Sequence, residues 1–374
     1  MTLMEPELTL GAADKAGQEL LRKAPPVFVD TTHMGRHVTG IERITAELFS
    51  PSALAPLRVE HLARPFGGIA GMVAGQQVSL PLRLMRRRDA VLITPGFPPA
   101  PALSLFMAGR VVPYVHDLFL ITRPQDLSLK AKLYMAPAFR LMLRHMRRYL
   151  VNSHATAREL RAHCRADAQI RLYRPAVRNV FGVERQLQPR ADLGRNGELR
   201  LLAIGTLEPR KNYEAAARIV QALRARGFPG ARLDIVGRPG WGGVAERLKD
   251  MPGVHLHGYL SAGALRALIA RSDAYLCTSA DEGLGLPLLE VQHAALPVIA
   301  PRAQVFNEVL GASALFITPE DPRQAAGAIA AALADAGAVR AWRARAIENV
   351  LRWNTAAEQD RRAVIRWLAR GLHS

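Results

Sequence analysis

Residues 200–205 read Arg-Leu-Leu-Ala-Ile-Gly, a short apolar run that ends in a glycine. Comparable runs recur along the chain, and most contain β-branched residues. They lie at 27–30, 90–94, 111–116, 149–153, 233–237, 254–258, 274–278 and 297–300. Strands that are apolar throughout are buried on both faces, and the helical stretches between them supply that cover. The pattern therefore predicts an α/β protein with parallel sheets.

The chain length of 374 residues favours two domains, each with its own core. Residues 180–197 are polar and rich in turn formers, so we interpret them as the interdomain linker. We expect an N-terminal domain over 25–185 and a C-terminal domain over 195–355. Ligands of such domains bind at the carboxyl ends of the strands, in a cleft. The final segment, 356–372, is predicted to be a helix that packs back on the N-terminal domain.

The composition excludes several classes of protein. With 49% hydrophobic and 22% charged residues, the chain is neither a disordered polar tract, nor collagen-like, nor a polytopic membrane protein. The 50 Lys and Arg residues exceed the 32 Asp and Glu residues, which gives a net charge of +18. Such an excess indicates a polyanionic partner, either nucleic acid or an anionic membrane surface.

The sequence also bears on the compartment. Two cysteines, Cys164 and Cys277, are too few for a disulfide scaffold. The first 24 residues contain four acidic residues and no long apolar core, so we predict no secretory signal. No apolar run reaches the ~18 residues of a membrane span. We therefore expect a cytoplasmic protein, peripheral to the inner face of the cytoplasmic membrane if it meets a membrane at all.

A first candidate motif follows the run at 200–205 and reads Gly205-Thr-Leu-Glu-Pro-Arg210-Lys211-Asn212. Two adjacent cations at the carboxyl end of a strand are suited to a diphosphate. The alternative is a basic turn that is simply solvated.

A second motif reads Thr278-Ser-Ala-Asp-Glu282-Gly-Leu-Gly285-Leu-Pro287-Leu-Leu-Glu290. It predicts a strand, a loop broken by glycines and a helix with Pro287 at its first position. Glycines let backbone N–H groups approach a ligand. Glu282 in the loop and Glu290 in the first helical turn are candidates to accept hydrogen bonds from sugar hydroxyls. For Glu290, the alternative is an acid that complements the helix dipole.

A third segment, Phe306-Asn-Glu308-Val-Leu-Gly311, is predicted to be a loop with a helix start. Taken in order, the three segments resemble those of the retaining glycosyltransferases of family 4, which have the GT-B fold. The matching parts are Arg210-Lys211-Asn212, the Glu282-x7-Glu290 motif and Glu308-Val309, with Leu284 where the family usually has Phe. The resemblance is close over 198–355 and looser over the first half. It implies two Rossmann-like, doubly wound domains that face a central cleft.

The resemblance also implies roles for individual residues. Arg210 and Lys211 correspond to the pair that binds and stabilises the departing diphosphate, and Glu282 to the donor-sugar contact. Glu290 corresponds to the acid that holds the ribose hydroxyls, and Tyr259 marks the region of the nucleotide base. The remaining implied donor contacts are Gly205, Gly283, Leu284, Gly285 and Leu286.

The first half carries two further candidates. Gly35-Arg-His-Val-Thr-Gly40-Ile-Glu-Arg resembles the family's glycine-containing loop, so Gly40 is a candidate donor contact or a plain helix-entry glycine. His116-Asp117 follows a strand and matches a His-Asp pair at the family's sugar site. His116 is therefore a candidate catalytic residue; the alternative is a strand-end histidine with a satisfied hydrogen bond.

The reaction implied by the resemblance is a hexosyl transfer with retention of configuration. No Asp-x-Asp motif accompanies the candidates, so we expect no metal and no cofactor other than the nucleotide-sugar donor. Arg238-Pro-Gly240-Trp241 resembles a stretch of mannosyl-type members, which favours GDP-mannose as the donor. The expected acceptor is a growing surface polysaccharide, of the lipopolysaccharide kind, or a polyprenyl-diphosphate-linked glycan.

Three alternatives remain at this point. A nucleotide-sugar epimerase and a glycogen-type synthase share the fold, although the chain is short for the synthase. A basic nucleic-acid-binding protein is the alternative from another class. Aromatic residues make up only 6% of the chain and lie mostly in apolar runs, which does not favour base stacking, so we expect no nucleic-acid partner.

The basic residues concentrate in the first half, where 27 Lys and Arg face 14 Asp and Glu; the corresponding numbers for residues 191–374 are 23 and 18. Two clusters suggest docking to an anionic leaflet. They are Arg83, Arg86, Arg87 and Arg88, and Arg140, Arg144, Arg147 and Arg148, the second set being predicted on one helical face. The alternative is an arginine-rich surface set by genome composition.

Overall fold

The computed structural model describes residues 24–35, 40–126, 131–190, 193 and 197–371. The N-terminal stretch in which no secretory signal is predicted, up to residue 23, lies outside this part of the chain. Two compact units are present. The first comprises the chain up to Asn152, Ala157–Pro175 and the chain from Glu358, and the second comprises Ser153–Thr156 and Ala176–Ala357.

The described strands of the first unit form one parallel sheet in the order β2-β1-β3-β4-β5-β6. They are β1 (Val27–Asp30), β2 (Val59–Leu62), β3 (Val91–Thr94), β4 (Val111–Val115), β5 (Arg148–Val151) and β6 (Gln169–Leu172). All residues of β1, β3 and β4 are buried, as their largely apolar sequences predict.

The helices of the N-terminal half cover this sheet. They are α1 (Gly40–Leu48), α2 (Gly68–Ala74), α3 (Leu80–Arg86), α4 (Pro101–Phe106), α5 (Phe119–Thr122), α6 (Ala136–His145) and α7 (His154–His163). Phe139, Met142 and Leu143 on α6 pack with strand residues such as Leu92 and Val111 in one core. The apolar face of α6 therefore holds that helix on the sheet.

The second unit also has one parallel sheet among its described strands, in the order β12-β11-β10-β7-β8-β9. The strands are β7 (Glu198–Ile204), β8 (Gly230–Val236), β9 (Val254–Gly258), β10 (Ala274–Leu276), β11 (Val298–Pro301) and β12 (Ala314–Ile317). Counted from β7, this is the Rossmann order 3-2-1-4-5-6, whose direction reverses between β7 and β10.

Helices cover both faces of this second sheet. They are α8 (Tyr213–Arg224), α9 (Val244–Leu248), α10 (Ala262–Ala270), α11 (Leu286–Gln292), α12 (Gln304–Leu310), α13 (Pro322–Leu333) and α14 (Ala336–Ala369). Successive strand residues alternate between two cores, as a pleated strand requires. Leu201 and Ala203 of β7 belong to one core, and Leu202 belongs to the other. The predicted α/β architecture with doubly covered parallel sheets is confirmed.

Two predicted boundaries differ from the structure. The stretch interpreted as the linker, 180–197, follows a division that falls earlier, between Pro175 and Ala176. Val177 and Val183 are buried in a core of the second unit, so isolated apolar residues anchor this polar stretch. The final helix does not begin near 356. It is the last part of α14, which runs unbroken from Ala336 to Ala369, and residues 358–369 of it are assigned to the first unit.

Candidate active site

The candidate residues of the second unit gather at the carboxyl ends of β7 and β10. These two strands are neighbours in the sheet, and the direction of strand order reverses between them. Arg210 and Lys211 lie on a 3₁₀ turn, Pro209–Lys211, a few residues after β7. Glu282 lies in the loop between β10 and α11. Open α/β sheets bind their ligands at such a switch point.

Hydrogen bonds to backbone carbonyl oxygens hold the two loops together. The Thr278 hydroxyl donates to the carbonyl oxygens of Lys211 at 3.1 Å and Asn212 at 2.9 Å. The Ala280 N–H donates to the Arg210 carbonyl at 2.9 Å. Asn212 has a φ of 51°, a left-handed conformation that Asn tolerates better than most residues, and it ends the 3₁₀ turn where α8 begins. The sequence therefore fixes where the two cations emerge.

Glu282 binds both cations with its two carboxylate oxygens. Arg210 Nη1 donates to Oε2 at 2.9 Å, and Lys211 Nζ donates to Oε1 at 2.5 Å. The side chains are largely buried, with exposed fractions of 18% for Arg210, 16% for Lys211 and 10% for Glu282. We call Arg210, Lys211 and Glu282 the ion triad.

The electrostatics of the ion triad keep Glu282 ionised. Burial by itself raises the pKa of a carboxyl group, but the charges and hydrogen bonds of Lys211 and Arg210 outweigh burial and hold the pKa of Glu282 at about 2. Burial works against the Arg210 charge as well, yet the carboxylates of Glu282 and Glu208 raise the pKa of Arg210 above its ordinary value. The site therefore presents fixed charges at neutral pH.

Three neighbouring residues complete the network, and none was singled out in the sequence. Glu208 Oε1 accepts from Arg210 Nη2 at 2.6 Å, and the Asp281 carbonyl accepts from Arg210 Nη1 at 2.8 Å. The Ser279 hydroxyl donates to Glu282 Oε1 at 2.8 Å. Glu208 and Ser279 lie inside the two quoted motifs, so a search for every polar group next to the cations would have found them.

Two glycines are needed for this geometry. Gly205 lies at the end of β7, where an added Cβ would be 3.0 Å from the Tyr213 hydroxyl and 3.3 Å from Lys211 Cε. Gly285 has a φ of 77° and precedes the first residue of α11. Its Cβ would be 2.8 Å from the Leu288 side chain. Gly205 thus leaves room for Lys211, and Gly285 turns the chain into the helix.

The remaining candidates around α11 differ in part from the expectation. Pro287 is the second helical residue, and Glu290 is the fifth, so Glu290 lies in the second turn and not the first. The Glu290 side chain is buried. Leu284 is also buried and packs in a core of the unit, while Gly283 and Leu286 are half-buried. The prediction of an acid in the first turn is therefore wrong.

Tyr259 lies apart from the ion triad, directly after β9. Its side chain is 77% exposed, and the Arg238 guanidinium lies 5.1 Å from the ring centroid. Trp241 nearby is 50% exposed. The β9 end is separated from β7 by one strand, so the sheet spaces the exposed aromatic residues from the cations along one edge.

In the first unit, His116 follows β4 and is held by the backbone. Its Nε2 lies 2.7 Å from the Pro95 carbonyl oxygen, which can only accept, so Nε2 carries the proton. Burial lowers the pKa of His116 to about 4 despite this hydrogen bond. The ring is therefore neutral at pH 7 with its lone pair on Nδ1. Gly40 is the exposed first residue of α1, and an added Cβ there would meet nothing within 4 Å.

A second histidine, missed in the sequence, lies close to the same sheet edge. The Thr45 hydroxyl donates to the Ile41 carbonyl at 2.9 Å, so it accepts from His33 Nε2 at 3.2 Å. Burial lowers the pKa of His33 to about 4; the Glu42 charge acts in the opposite direction, and His116 adds to the lowering. His33 lies three residues after the end of β1, and this position near the carboxyl end of a predicted strand could have identified it from the sequence.

Two other predictions are wrong. Glu308 is not in a loop: it lies within α12, and its two carboxylate oxygens accept the N–H groups of His154 at 2.7 Å and Ala155 at 2.8 Å. The second arginine cluster is not one helical face, because α6 ends at His145. Arg147 follows the helix, and Arg148 lies on β5, where it donates to the Gly109 carbonyl at 3.0 Å.

Two further features, a metal site and a helical membrane span, are absent from the described ranges. There, no three His, Cys, Asp or Glu side chains cluster in a way that could hold a metal ion. Likewise, none of the helices in these ranges combines the length and apolar character of a membrane span. The predicted independence of metals stays a prediction.

The fold corresponds to that of solved two-domain proteins with the GT-B fold, as comparison with those structures indicates. The sucrose-phosphate synthase from Thermosynechococcus elongatus matches with a TM-score of 0.70 at 17% identity, over 92% of this chain and 99% of that one. HepE from Anabaena in complex with UDP-glucose matches with a TM-score of 0.63 at 16% identity, over 91% and 99%. The predicted GT-B fold is confirmed.

Sequence comparison identifies the domain in the second unit. Residues 198–335 match the family described as Glycosyl transferases group 1, so the chain carries a domain of that family. The serotype-specific mannosyltransferase WbdA of Escherichia coli is 33% identical over 134 residues, 34% of this chain and 16% of WbdA. The O-antigen chain mannosyltransferase B of Escherichia coli is 30% identical over 125 residues, 32% of this chain and 33% of that protein. The matches thus span a third or less of these relatives.

Asp30 provides a test of the electrostatics at the end of β1. It accepts from the Thr32 N–H at 2.9 Å and the Thr32 hydroxyl at 2.6 Å, yet burial outweighs these bonds and raises its pKa to about 6. The unfolded chain loses this proton near pH 4, so ionised Asp30 costs stability as pH rises from about 4 to 6. Two pKa units correspond to about 3 kcal/mol.

Asp30→Asn keeps the acceptor oxygen and removes the charge, so we expect the melting temperature to rise by at least ~5 °C at pH 7.5. At pH 3.5, where Asp30 is protonated in both states, the variant and the parent protein should melt together. Asp89→Asn, at an exposed aspartate of the same unit, is the control and should change little at either pH. Equal melting of Asp30→Asn and the parent at pH 7.5 would contradict the raised pKa.

Proposed function

We propose that the protein is a retaining glycosyltransferase that moves mannose from GDP-mannose to a hydroxyl of a growing surface polysaccharide or a polyprenyl-diphosphate-linked oligosaccharide. The group 1 domain and the mannosyltransferase relatives support the class of reaction. The ion triad at the switch point of the second sheet is the observation that carries the proposal. Metal independence and retention are part of the proposal.

Lys211 is the residue best prepared for a phosphate. Its ammonium group has three N–H donors, and among the described residues it has one side-chain partner, Glu282 Oε1. Two donors therefore remain for a ligand at a largely buried position. Charge–charge interactions are stronger there than in water, and the ion triad fixes the ammonium before a ligand arrives. Arg210, held by Glu208 and Glu282, supplies the second cation.

The proposed chemistry follows from where charge develops. The bond between the anomeric carbon and the β-phosphate oxygen breaks, and its electron pair stays on that oxygen, which Arg210 and Lys211 stabilise. The acceptor hydroxyl bonds the anomeric carbon on the same face, and its proton passes to the departing diphosphate. Glu282 is proposed to contact the donor sugar. His116 is also proposed to contact the donor sugar.

Two observations support GDP-mannose as the proposed donor. Both relatives compared above are mannosyltransferases by name. In the Arg238–Trp241 stretch, the Arg238 guanidinium lies over the Tyr259 ring and Trp241 is half-exposed, which suits contact with the base and the sugar of a donor. The acceptor class rests on the name of the O-antigen enzyme alone.

The proposed membrane partner concerns the first arginine cluster. The guanidinium groups of Arg86 and Arg88 have no acidic or hydrogen-bonding partner within the described ranges, whereas Arg83 pairs with Glu60 at 3.5 Å and Arg87 with Asp89 at 3.4 Å. On the same helix, Leu82 is 45% exposed and Met85 57%. Exposed apolar residues among unpaired arginines match the surface of an anionic leaflet. We propose that this surface docks the enzyme on the membrane.

The donor is tested by titration calorimetry with GDP-mannose, UDP-glucose and a dTDP-sugar, followed by incubation of each sugar without acceptor. We expect GDP-mannose to bind most tightly and no epimer to form. Tighter binding of a UDP- or dTDP-sugar would refute the donor and leave the transferase standing. Formation of an epimer would overturn the transferase itself.

Lys211→Ala removes the ammonium that faces the leaving diphosphate, so we expect a loss of about 2–4 kcal/mol of transition-state stabilisation, roughly 30- to 1,000-fold in kcat. The readout is turnover of the donor identified above. Lys249→Ala, at an exposed lysine of the same unit, is the matched control and should retain activity. Unchanged turnover of a folded Lys211→Ala variant would refute the role of Lys211.

Membrane docking is tested by sedimentation with vesicles of phosphatidylcholine, with and without phosphatidylglycerol. We expect binding to the anionic vesicles alone, and a loss of roughly ten- to thirtyfold in Arg86→Gln/Arg88→Gln, since each basic residue contributes about 1 kcal/mol near the surface. The control pair is Arg323→Gln/Arg345→Gln in the second unit. If both double variants sediment alike, the arginine cluster is not the docking surface.

A further inference from the structure

A groove of the first unit lies between β6 and the end of α14. It has a volume of about 280 Å³ and is lined by Arg171, Ala363, Arg366, Trp367 and Arg370. Arg171 belongs to β6, the edge strand of the sheet, and the other four belong to the end of α14 and the turn that follows it. Three of the five lining side chains are guanidinium groups.

The helix sets the spacing of these residues. Arg366 and Arg370 are four residues apart, and so are Ala363 and Trp367, so two adjacent rows of α14 face the groove. The small side chain of Ala363 leaves space between the arginines. Arg171 lies with its guanidinium carbon 5.2 Å from the centroid of the Trp367 ring, whose exposure is only 9%. The ring thus orients one of the three guanidinium groups.

The carboxylates nearest in sequence are committed to other arginines. Glu358 binds Arg361 at 2.7 Å and Arg362 at 2.7 Å, and Asp360 binds Arg174 at 2.6 Å. Over the described ranges, no carboxylate oxygen lies within 4.0 Å of Arg171, Arg366 or Arg370. These three guanidinium groups also donate no hydrogen bond to the described part of the chain.

This arrangement concentrates positive charge on one exposed surface. Arg366 and Arg370 are four residues apart at the carboxyl end of α14, where the helix dipole favours cations, and Arg171 adds a third positive charge across the groove. Glu358 and Asp360 lie about two turns before Arg366, where other arginines bind them. The three arginines of the groove therefore have no acidic partner among the described residues.

We propose that the groove binds a phosphate group, as a phosphomonoester or as inorganic phosphate. Guanidinium forks match the oxygens of a phosphate in geometry as well as in charge. The volume lies just below the range of about 300–1,000 Å³ that drug-sized ligands occupy, so the groove suits one head group and not a whole nucleotide sugar. The phosphate comes either from a soluble metabolite or from the headgroup of an anionic lipid.

The soluble source is tested by titration calorimetry with inorganic phosphate in a Lys211→Ala background, which removes a donor of the ion triad from the comparison. We expect saturable binding, weakened roughly tenfold by Arg366→Gln and again by Arg370→Gln. Trp367 fluorescence should change on binding, and that change should vanish in Trp367→Phe. Arg345→Gln, at an exposed arginine on the same helix, is the control and should bind phosphate like the background.

The lipid source is tested with vesicles of phosphatidylcholine, with and without phosphatidic acid, in an Arg86→Gln/Arg88→Gln background. Dependence on Arg366 and Arg370 in the vesicle assay alone assigns the phosphate to a lipid headgroup, and dependence in calorimetry assigns it to a soluble ligand. If folded Arg366→Gln and Arg370→Gln variants behave like Arg345→Gln in both assays, the proposed site is refuted.

Discussion

The carboxylate of Glu282 binds two cations that lie in the loop after another strand, and the candidate active site depends on this ion triad. A buried carboxylate is costly unless charges and hydrogen bonds compensate it. Arg210 and Lys211 supply that compensation, and the Ser279 hydroxyl satisfies Oε1 further. In return, Glu282 and Glu208 fix the direction of the Arg210 guanidinium. The cations and the acid stabilise each other in these positions, so the conformations of the loops after β7 and β10 depend on each other.

Sheet topology explains why residues so distant in sequence meet. The strand order reverses between β7 and β10. The connections that follow these two strands therefore run to opposite sides of the sheet and leave a crevice between them. The first sheet reverses between β1 and β3, and His33 and the Pro95 carbonyl that holds His116 follow those two strands. Both units thus place polar groups at the crevice of a parallel sheet: the charged ion triad in the second unit, and two neutral histidines in the first.

Sequence reasoning succeeded where a local pattern decides the structure. Apolar runs predicted the described strands apart from β2, β6 and β12, and the two cations and the acid of the ion triad stood out because they follow two of the predicted strands. It failed where the outcome depends on contacts distant in sequence. Residues 180–197 have the polar sequence of a linker, but Val183 is buried in a core of the second unit. Glu308 lies in a helix and not in the predicted loop, and the N–H groups that it binds, at 154 and 155, are distant in sequence. Arg147 and Arg148 continue a helical spacing, but the strand β5 begins there.

The net charge of +18 illustrates the same limit, because a sum cannot separate structural arginines from binding ones. Arg110 donates to the carbonyls of Leu84 at 2.9 Å, Arg87 at 3.0 Å and Arg88 at 3.2 Å, so it shapes the basic turn after α3 and is not free for a partner. Arg343 is buried and donates to the Gln186 carbonyl. Such arginines donate hydrogen bonds to backbone carbonyl oxygens and so stabilise the fold, although they count toward the net charge. At the surface, the arginines available to an anion are the subset whose guanidinium groups have no partner in the described part of the chain. The position of that subset therefore says more about partners than the total charge does.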